Sequence, residues 1–366
     1  MSKEKITLMV LGDVIINRDE PKSIFTHVVD VLNTPDILFA NCDQTYSDKH
    51  PPAPLNPLGS DPNNIPALVY AGLDVVSLAN NHTLDFGIPD LLDTIERLEK
   101  AGIKVVGVGK NVTEARRPVI MERKGTKVGF LAYGCLGPDG YEAWEDKPGY
   151  APMRAYTVYD KWDYQPGTPP RVISVAYPDD MAAMKEDIRK LKTQADVVAI
   201  SFHWGLHFQP AIIPMYAFEV GHAAIDAGAD LIIGNHAHIL KPIEVYKGKI
   251  IFHALNNFAA EMRRGLPPPP YPGRAGPFQM YGFQRDPETG EHPEARPTMI
   301  GKIIIDGGKI QKVSYIPCWV NKDKQPEIVT RSDPRAQKVF DYVEKITRSQ
   351  NLATKFTWEG NEVLIS

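Results

Sequence analysis

The sequence predicts an α/β fold in which a mixed sheet, or two sheets packed face to face, is covered by helices. Three observations lead there. First, a helix pattern that stops at a glycine and runs into a short apolar stretch recurs at Ile65–Leu78, Leu91–Val108 and Tyr216–Ile233. Helix followed by strand, repeated, calls for a mostly parallel sheet covered on both faces. Second, short β-branched runs end in Asp, Asn or His. Ile6–Leu11 stops at Gly12-Asp13, Val75–Ala79 at Asn80-Asn81-His82, Val197–Phe202 at His203, and Leu231–Ile233 just before His236 and His238. Ligands of open α/β sheets bind beyond the carboxyl ends of strands, so the placement itself points to a site. Third, the pairs Lys124-Gly125, Lys247-Gly248 and Gly307-Gly308 sit beside apolar runs as hairpin turns do, so part of the sheet is antiparallel.

In chain order, the strand Ile6–Leu11 is followed by a strand at Ile37–Ala40 and a helix from Ile65 capped by Gly72. Val75–Leu78 is the next strand. The helix Pro89–Lys100, capped by Gly102, leads to Val105–Val108, and Val119–Arg123 and Val128–Tyr133 follow. The helix from Tyr216, capped by Gly228, leads to the strand from Leu231. Each of the three glycines is expected in the left-handed region that ends a helix. Ile250–Ala254, Met299–Ile305 and Ile310–Ile316 complete the strands. Ser332–Gln350 reads as a terminal helix with Val339, Tyr342, Val343 and Ile346 on one face.

Two stretches break the pattern. Asp139–Arg171, rich in Tyr, Trp, Gly and Pro, reads as an ordered rim. Leu266–Pro297 opens on a run of four prolines, Pro267–Pro270, and can be neither helix nor sheet interior. It reads either as a substrate lid, carrying Tyr271, Phe278, Tyr281, Phe283 and Arg274, or as a disordered insert. The expected organisation is one domain over 1–320 with inserts at 139–171 and 266–297, and an extension, 321–366, packed on it.

Composition narrows the function. The 366 residues are 43% hydrophobic and 23% charged with a net charge of −4, which gives no electrostatic case for nucleic acid or an anionic membrane surface. Three widely spaced cysteines, Cys42, Cys135 and Cys318, do not make a disulfide framework. The apolar run after Met1–Lys5 is too short for a signal peptide or a membrane span. The expectation is a cytoplasmic protein with no membrane segment, acting on a small or short-polymer anionic substrate; a homo-oligomer is compatible with these features.

A metal centre that activates water needs several oxygen and nitrogen donors on rigid elements and an open position. The donors at the strand ends are Asp13, Asp43, Asn81, His82, His203, His236 and His238. One such histidine alone is more often packed in a core; four ending three separate strands are hard to explain as packing. Carboxylate and amide oxygens with imidazoles suit Mn, Fe or Zn. Asp85 has two readings, a carboxylate that orients the His82 ring or a cap on the helix Pro89–Lys100. Arg18 either faces a substrate anion or is an ordinary surface arginine, and His207 is either a substrate contact or a rim residue.

Gly12-Asp13, Asn41–Asp43, the block Ser77–Gly87, His203–Gly205, Gly234–His238 and Leu255–Phe258 resemble, in order, the CapA family of capsule and poly-γ-glutamate synthesis. The resemblance implies a calcineurin-like metallophosphoesterase fold, a four-layer αββα sandwich of mixed sheets. It also implies two divalent ions (Mn, Fe or Zn) held by Asp13, Asp43, Asn81, His203, His236 and His238, with His82 beside them protonating the leaving group. The implied activity is a metal-dependent hydrolase cleaving a phosphoester or an amide bond, γ-glutamyl bonds included. The alternative is a non-catalytic component of capsule or polyglutamate biosynthesis that uses the fold to bind. Where the family has Asn-Leu-Glu this chain has Asn41-Cys42-Asp43, with a shorter carboxylate. His253 stands where the family has tyrosine, at a strand end, and with Asn257 is expected near substrate. The membrane anchor usual in capsule-synthesis members is not seen, which weighs against an export role.

Overall fold

The computed structural model describes residues 3–49, 59–161, 167–261 and 286–366. Two sheets face one another. The larger runs in the order Phe356–Glu359, Glu362–Ile365, Lys309–Val320, Pro297–Asp306, Ile6–Ile15, Ile37–Cys42, Val75–Ser77 and Lys104–Val106, with Asn257–Ala260 joining the end of Ile6–Ile15. The strands from Ile6 to Val106 are mutually parallel, and Pro297–Asp306 is antiparallel to Ile6–Ile15. In the smaller sheet, Lys249–Phe252, Leu231–Asn235, Val197–His203 and Thr126–Gly134 are parallel. Ile243–Tyr246 and Val119–Arg123 flank them antiparallel. The sheets are therefore mixed, and the three Gly turns do close hairpins.

Alternation along the smaller sheet explains why both of its faces are covered. Val197, Ala199, Leu231, Ile233, Ile250 and Phe252 point into the core shared with the larger sheet, where Phe39 stacks on Phe130 at 5.5 Å. Val198, Ile200, Ile232 and Ile251 point the other way, onto Met184, Ile188 and Leu191 of the helix Pro178–Lys192 and Val220 and Ala224 of the helix Met215–Ala227. The larger sheet is backed by the helix Ile88–Lys100, burying Leu91 and Leu98, and by Pro334–Ser349, burying Val339 and Val343. Helices, sheet, sheet, helices give the expected four layers.

The three helix-ending glycines behave alike. Gly72, Gly102 and Gly228 have φ of +79°, +87° and +123°. The next residue in each case, Leu73, Ile103 or Ala229, donates its N–H to the carbonyl five residues back, at 3.1, 3.0 and 3.0 Å. This is the six-to-one bond that closes a left-handed cap.

Two other glycines admit backbone rather than a turn. A Cβ on Gly12 would sit 1.8 Å from the carbonyl oxygen of Asn256, and one on Gly234 2.2 Å from that of His253. The Asn256 carbonyl accepts the Asp13 N–H at 2.9 Å, so Gly12 is what lets that strand close on the site. Gly12→Ala should cost about 2–3 kcal/mol through forced backbone displacement, read as a lowered urea midpoint with little change in slope.

Some elements differ from expectation. Ile6–Ile15 continues past Asp13, with an irregularity in its pairing between Val10 and Asp13. The stretch read as an ordered rim, 139–171, contains a strand that the sequence does not announce: Ala155–Asp160 forms a hairpin with Arg171–Ala176. The residues after the terminal helix add a second hairpin, Phe356–Glu359 with Glu362–Ile365, to the larger sheet. Of the expected lid, residues 266–285, with Tyr271, Arg274, Phe278, Tyr281 and Phe283, lie outside the described residues. The part from Asp286 onward leads through a 3-10 turn, Pro293–Ala295, whose Ala295 carbonyl accepts from Asn256 Nδ2 at 2.8 Å. Among the described residues no helix is long and apolar enough to cross a membrane.

Candidate metal centre

The strand ends of both sheets meet at one point. Asp13 comes from Ile6–Ile15, Asp43 from just beyond Ile37–Cys42, and Asn81 and His82 from the turn after Val75–Ser77. His203 ends Val197–His203, and His236 and His238 follow Leu231–Asn235. Asp13 and His203 lie within their strands and the others follow strand ends by a few residues, so the sheets bring the donors to one place and the turns complete their orientation.

A continuous chain of contacts joins them. Asn41 Nδ2 donates to Asp13 Oδ1 at 2.8 Å and lies 3.4 Å from His203 Nδ1. His203 Nε2 meets Asn81 Oδ1 at 2.7 Å, His236 Nδ1 at 3.1 Å and Asp43 Oδ1 at 3.5 Å. The His236 N–H donates to Asp13 Oδ2 at 3.2 Å, and His238 Nδ1 lies 3.5 Å from the same oxygen. Asp13, Asp43 and His238 each offer a ligand atom within 4.8 Å of the others. All six of the residues expected to hold metal are thus brought together.

Burial makes this arrangement costly without a cation. Asp13 and Asp43 are fully buried, and neither carboxylate oxygen of Asp43 has a hydrogen-bond partner. Burial, with the neighbouring Asp43 charge, raises the Asp13 carboxyl well above its ordinary range. Burial pushes Asp43 up to about 6, with His82 opposing and Asp85 adding. Burial, helped by the neighbouring histidines, drives His203 and His236 well below the ordinary imidazole range; it takes His238 to about 4, partly offset by Asn257. Neutral imidazoles have the lone pairs that ligands need, and two close buried carboxylates, once ionised, supply negative charge that a divalent ion would offset. The donor set fits such ions.

The backbone here is also unusual. His236 and His238 have φ of +90° and +53°, and Asn256 of +67°. Non-glycine residues in this region cost of order 1–3 kcal/mol each and persist only where the surroundings over-determine them, which is common at functional sites.

His82 is held differently. Its Nδ1 meets Asp85 Oδ2 at 2.6 Å, and Tyr141 Oη donates to Asp85 Oδ1 at 3.2 Å. Burial disfavours the imidazolium, but Asp43 and Asp85 outweigh it and raise the pKa of His82. Asp85 is therefore the orienting carboxylate; the cap position of the helix Ile88–Lys100 is Gly87. Asn80 braces the turn, donating to the Cys42 carbonyl at 2.6 Å and accepting the His82 N–H at 3.1 Å. Asn81, His82 and His207 are the partly exposed members and mark the mouth of the site.

The residues expected on substrate separate into three groups. His207 stays at the site, its ring 3.9 Å from that of His236 and 5.0 Å from that of His238, with Nε2 unpartnered. Asn257 meets His238 Nδ1 through Oδ1 at 2.7 Å and so fixes the orientation of that ring. Arg18 and His253 are drawn elsewhere. Arg18 pairs with Glu261 at 2.9 Å and donates to Ser23 and to the Asp323 carbonyl. His253 gives Nε2 to Glu244 at 3.0 Å, alongside His222, and its carbonyl accepts from Trp204. Sequence reasoning missed two participants. Asn41, which ties Asp13 to His203, was visible only as part of a motif. Tyr141, behind Asp85, lay in a stretch legible only as aromatic rim.

Residues 7–262 match the family model described as bacterial capsule synthesis protein PGA_cap. The capsule biosynthesis protein CapA of Bacillus anthracis is 30% identical over 70% of this chain and 60% of its own length. The PGA biosynthesis protein CapA of Bacillus subtilis is 26% identical over 70% of this chain and 64% of its own. The chain thus spans less than two thirds of the length of these relatives. A calcineurin-like phosphoesterase of Bacillus subtilis, YfkN, superposes with a TM-score of 0.40 at 14% identity, over 94% of this chain and 97% of that one.

Proposed function

The chain belongs to the bacterial capsule synthesis protein family PGA_cap, and from that premise we propose that it is a metal-dependent hydrolase of phosphoester or amide bonds, γ-glutamyl amides included. The observation that carries the reading is the pair of buried, unpartnered Asp43 oxygens facing His203, beside Asp13 and His238. Leaving such a carboxylate without a counter-charge is expensive, and a scaffold has no use for it. Asp13, Asp43, Asn81, His203, His236 and His238 would hold two divalent ions (Mn, Fe or Zn). Bound there, the ions would supply Lewis-acid charge and a water acidic enough to attack at neutral pH.

The chain's own residues do the rest. Asn41 and Asn257 fix the orientations of Asp13, His203 and His238. Asp85 engages His82 Nδ1, which leaves Nε2 as the nitrogen able to pass a proton to the departing oxygen or nitrogen. Asp85, hydrogen-bonded to the ring, supports its protonated form. Substrate would enter past Asn81, His82 and His207. Unpaired, buried cysteines at 42, 135 and 318 support a cytoplasmic setting.

The test is elemental analysis of the purified protein, followed by assays with Mn, Fe or Zn on phosphomonoesters, phosphodiesters and γ-glutamyl amides. Bound divalent metal near two equivalents and turnover of one bond class are expected. Tight metal binding with no turnover on any class would favour the binding-module reading, and no metal uptake would end both.

A further inference from the structure

Of the exposed large apolar side chains among the described residues, Tyr156, Val158, Tyr159, Val172 and Val175 all belong to one hairpin, Ala155–Asp160 with Arg171–Ala176. A two-stranded ribbon is marginal alone and needs a third element. One side has it: Ser174 Oγ accepts from the Tyr216 N–H at 3.2 Å, and Glu219 accepts the Ala176 N–H at 2.9 Å. The other edge, Ala155–Asp160, has no strand beside it among the described residues. The Tyr177 N–H donates to the Arg154 carbonyl at 2.9 Å, which sets the alternation along the pair. Tyr156, Val158 and Asp160 therefore turn their N–H and C=O into the hairpin (the Arg154 N–H goes to Asp180), whereas Ala155, Thr157 and Tyr159 turn theirs outward. This edge has no lysine, proline or bulge of the kind that blocks strand addition.

We propose that Ala155–Asp160 pairs antiparallel with the same strand of a second copy of this chain, about a two-fold axis at Thr157, making a four-stranded sheet across a dimer. The register argues for a second copy. With the axis at Thr157, Thr157 meets Thr157 of the second copy and Ala155 meets its Tyr159, so every outward-turned group on one strand faces an outward-turned group on the other. The same register sets Tyr156 beside Val158 of the second copy, and with Ile173 and Val175 behind them the exposed faces merge into one apolar surface. Asp160 and Arg154, which would stand opposite at both ends, already pair with Arg171 and Asp180 of their own chain, so the contact rests on the backbone edge and the apolar side chains. The pairing is edge addition by a self-complementary strand, an isologous contact.

The test uses the full chain. At a paired position of this kind the Cα atoms lie about 5.5 Å apart, within disulfide reach. Thr157→Cys should therefore give a covalent dimer under mild oxidation. Val158→Cys, which would face Tyr156, should give far less, and the native cysteines are buried and give no background. Sedimentation should show a dimer of the parent chain. Its dissociation constant should rise about 100-fold in Thr157→Pro, which removes only an outward N–H, and in Val158→Lys, which holds the test if the proline variant misfolds. A parent chain that is monomeric at ~100 µM, a dimer undiminished in the folded variants, or equal cross-linking at 157 and 158 would overturn the proposal.

Discussion

Asp43→Ala is expected to strip the protein of most of its divalent metal and to lower hydrolysis by on the order of 10³, the several kcal/mol that metal-ion catalysis supplies. Elemental analysis and steady-state rates check the two halves together. The variant should stay folded, because Asp43 contributes no hydrogen bond that another group then lacks. The related change Asp43→Asn isolates what the carboxylate does to the metal-free protein. Its pKa is raised on folding from 3.8 to about 6, chiefly by burial. The folded state therefore holds the proton more tightly, and stability falls as pH rises between those values. Above pH 6 the metal-free parent should be less stable than Asp43→Asn by on the order of 3 kcal/mol. Below pH 4 this difference should vanish. Urea denaturation in chelator at pH 4 and pH 7.5 reads it, and a difference that grows toward acid would refute the account.

The second large effect is expected at His82. His82→Ala should keep nearly all of its metal and lose on the order of 10²–10⁴ in rate. The loss should be least for substrates whose leaving groups need no proton. Asp85→Asn should fall in the same direction by less, since Tyr141 and the ring remain while the carboxylate that supports the imidazolium is gone. Equal losses on nitrophenyl and alkyl leaving groups would show that His82 does something other than donate a proton.

Much of this was legible in the sequence, for identifiable reasons. Gly72, Gly102 and Gly228 advertise left-handed caps, so the helix-to-strand units could be placed within a few residues. The six expected metal residues converge because parallel strands end at one edge of each sheet, and those two edges meet. What failed depended on side-chain direction or distant pairing. His253 sits at a strand end like the others, yet Glu244 and Trp204 hold it away. Arg18 is claimed by Glu261, more than two hundred residues on. The hairpin Ala155–Asp160 with Arg171–Ala176 was hidden because its intervening segment is rich in proline and glycine. The terminal strands Phe356–Glu359 and Glu362–Ile365 were too short to stand out from a polar tail.

The antiparallel neighbour of Ile6–Ile15 is Pro297–Asp306, with Ile6 opposite Ile305. The strand that carries Asp13 therefore waits, during synthesis, for a partner some 300 residues behind it. At about 5–20 residues per second that interval is roughly 15–60 s, during which an apolar edge has no permanent neighbour. Closing so long a loop is also slow in refolding, since non-local pairing must absorb its entropy first. The centre would thus be among the last parts of the molecule to become complete. A nascent chain released after the family-matched segment, at residue 262, would lack both Pro297–Asp306 and Lys309–Val320. Such a chain would carry all six expected metal residues yet leave the Ile6–Ile15 edge without its antiparallel neighbour and open to association.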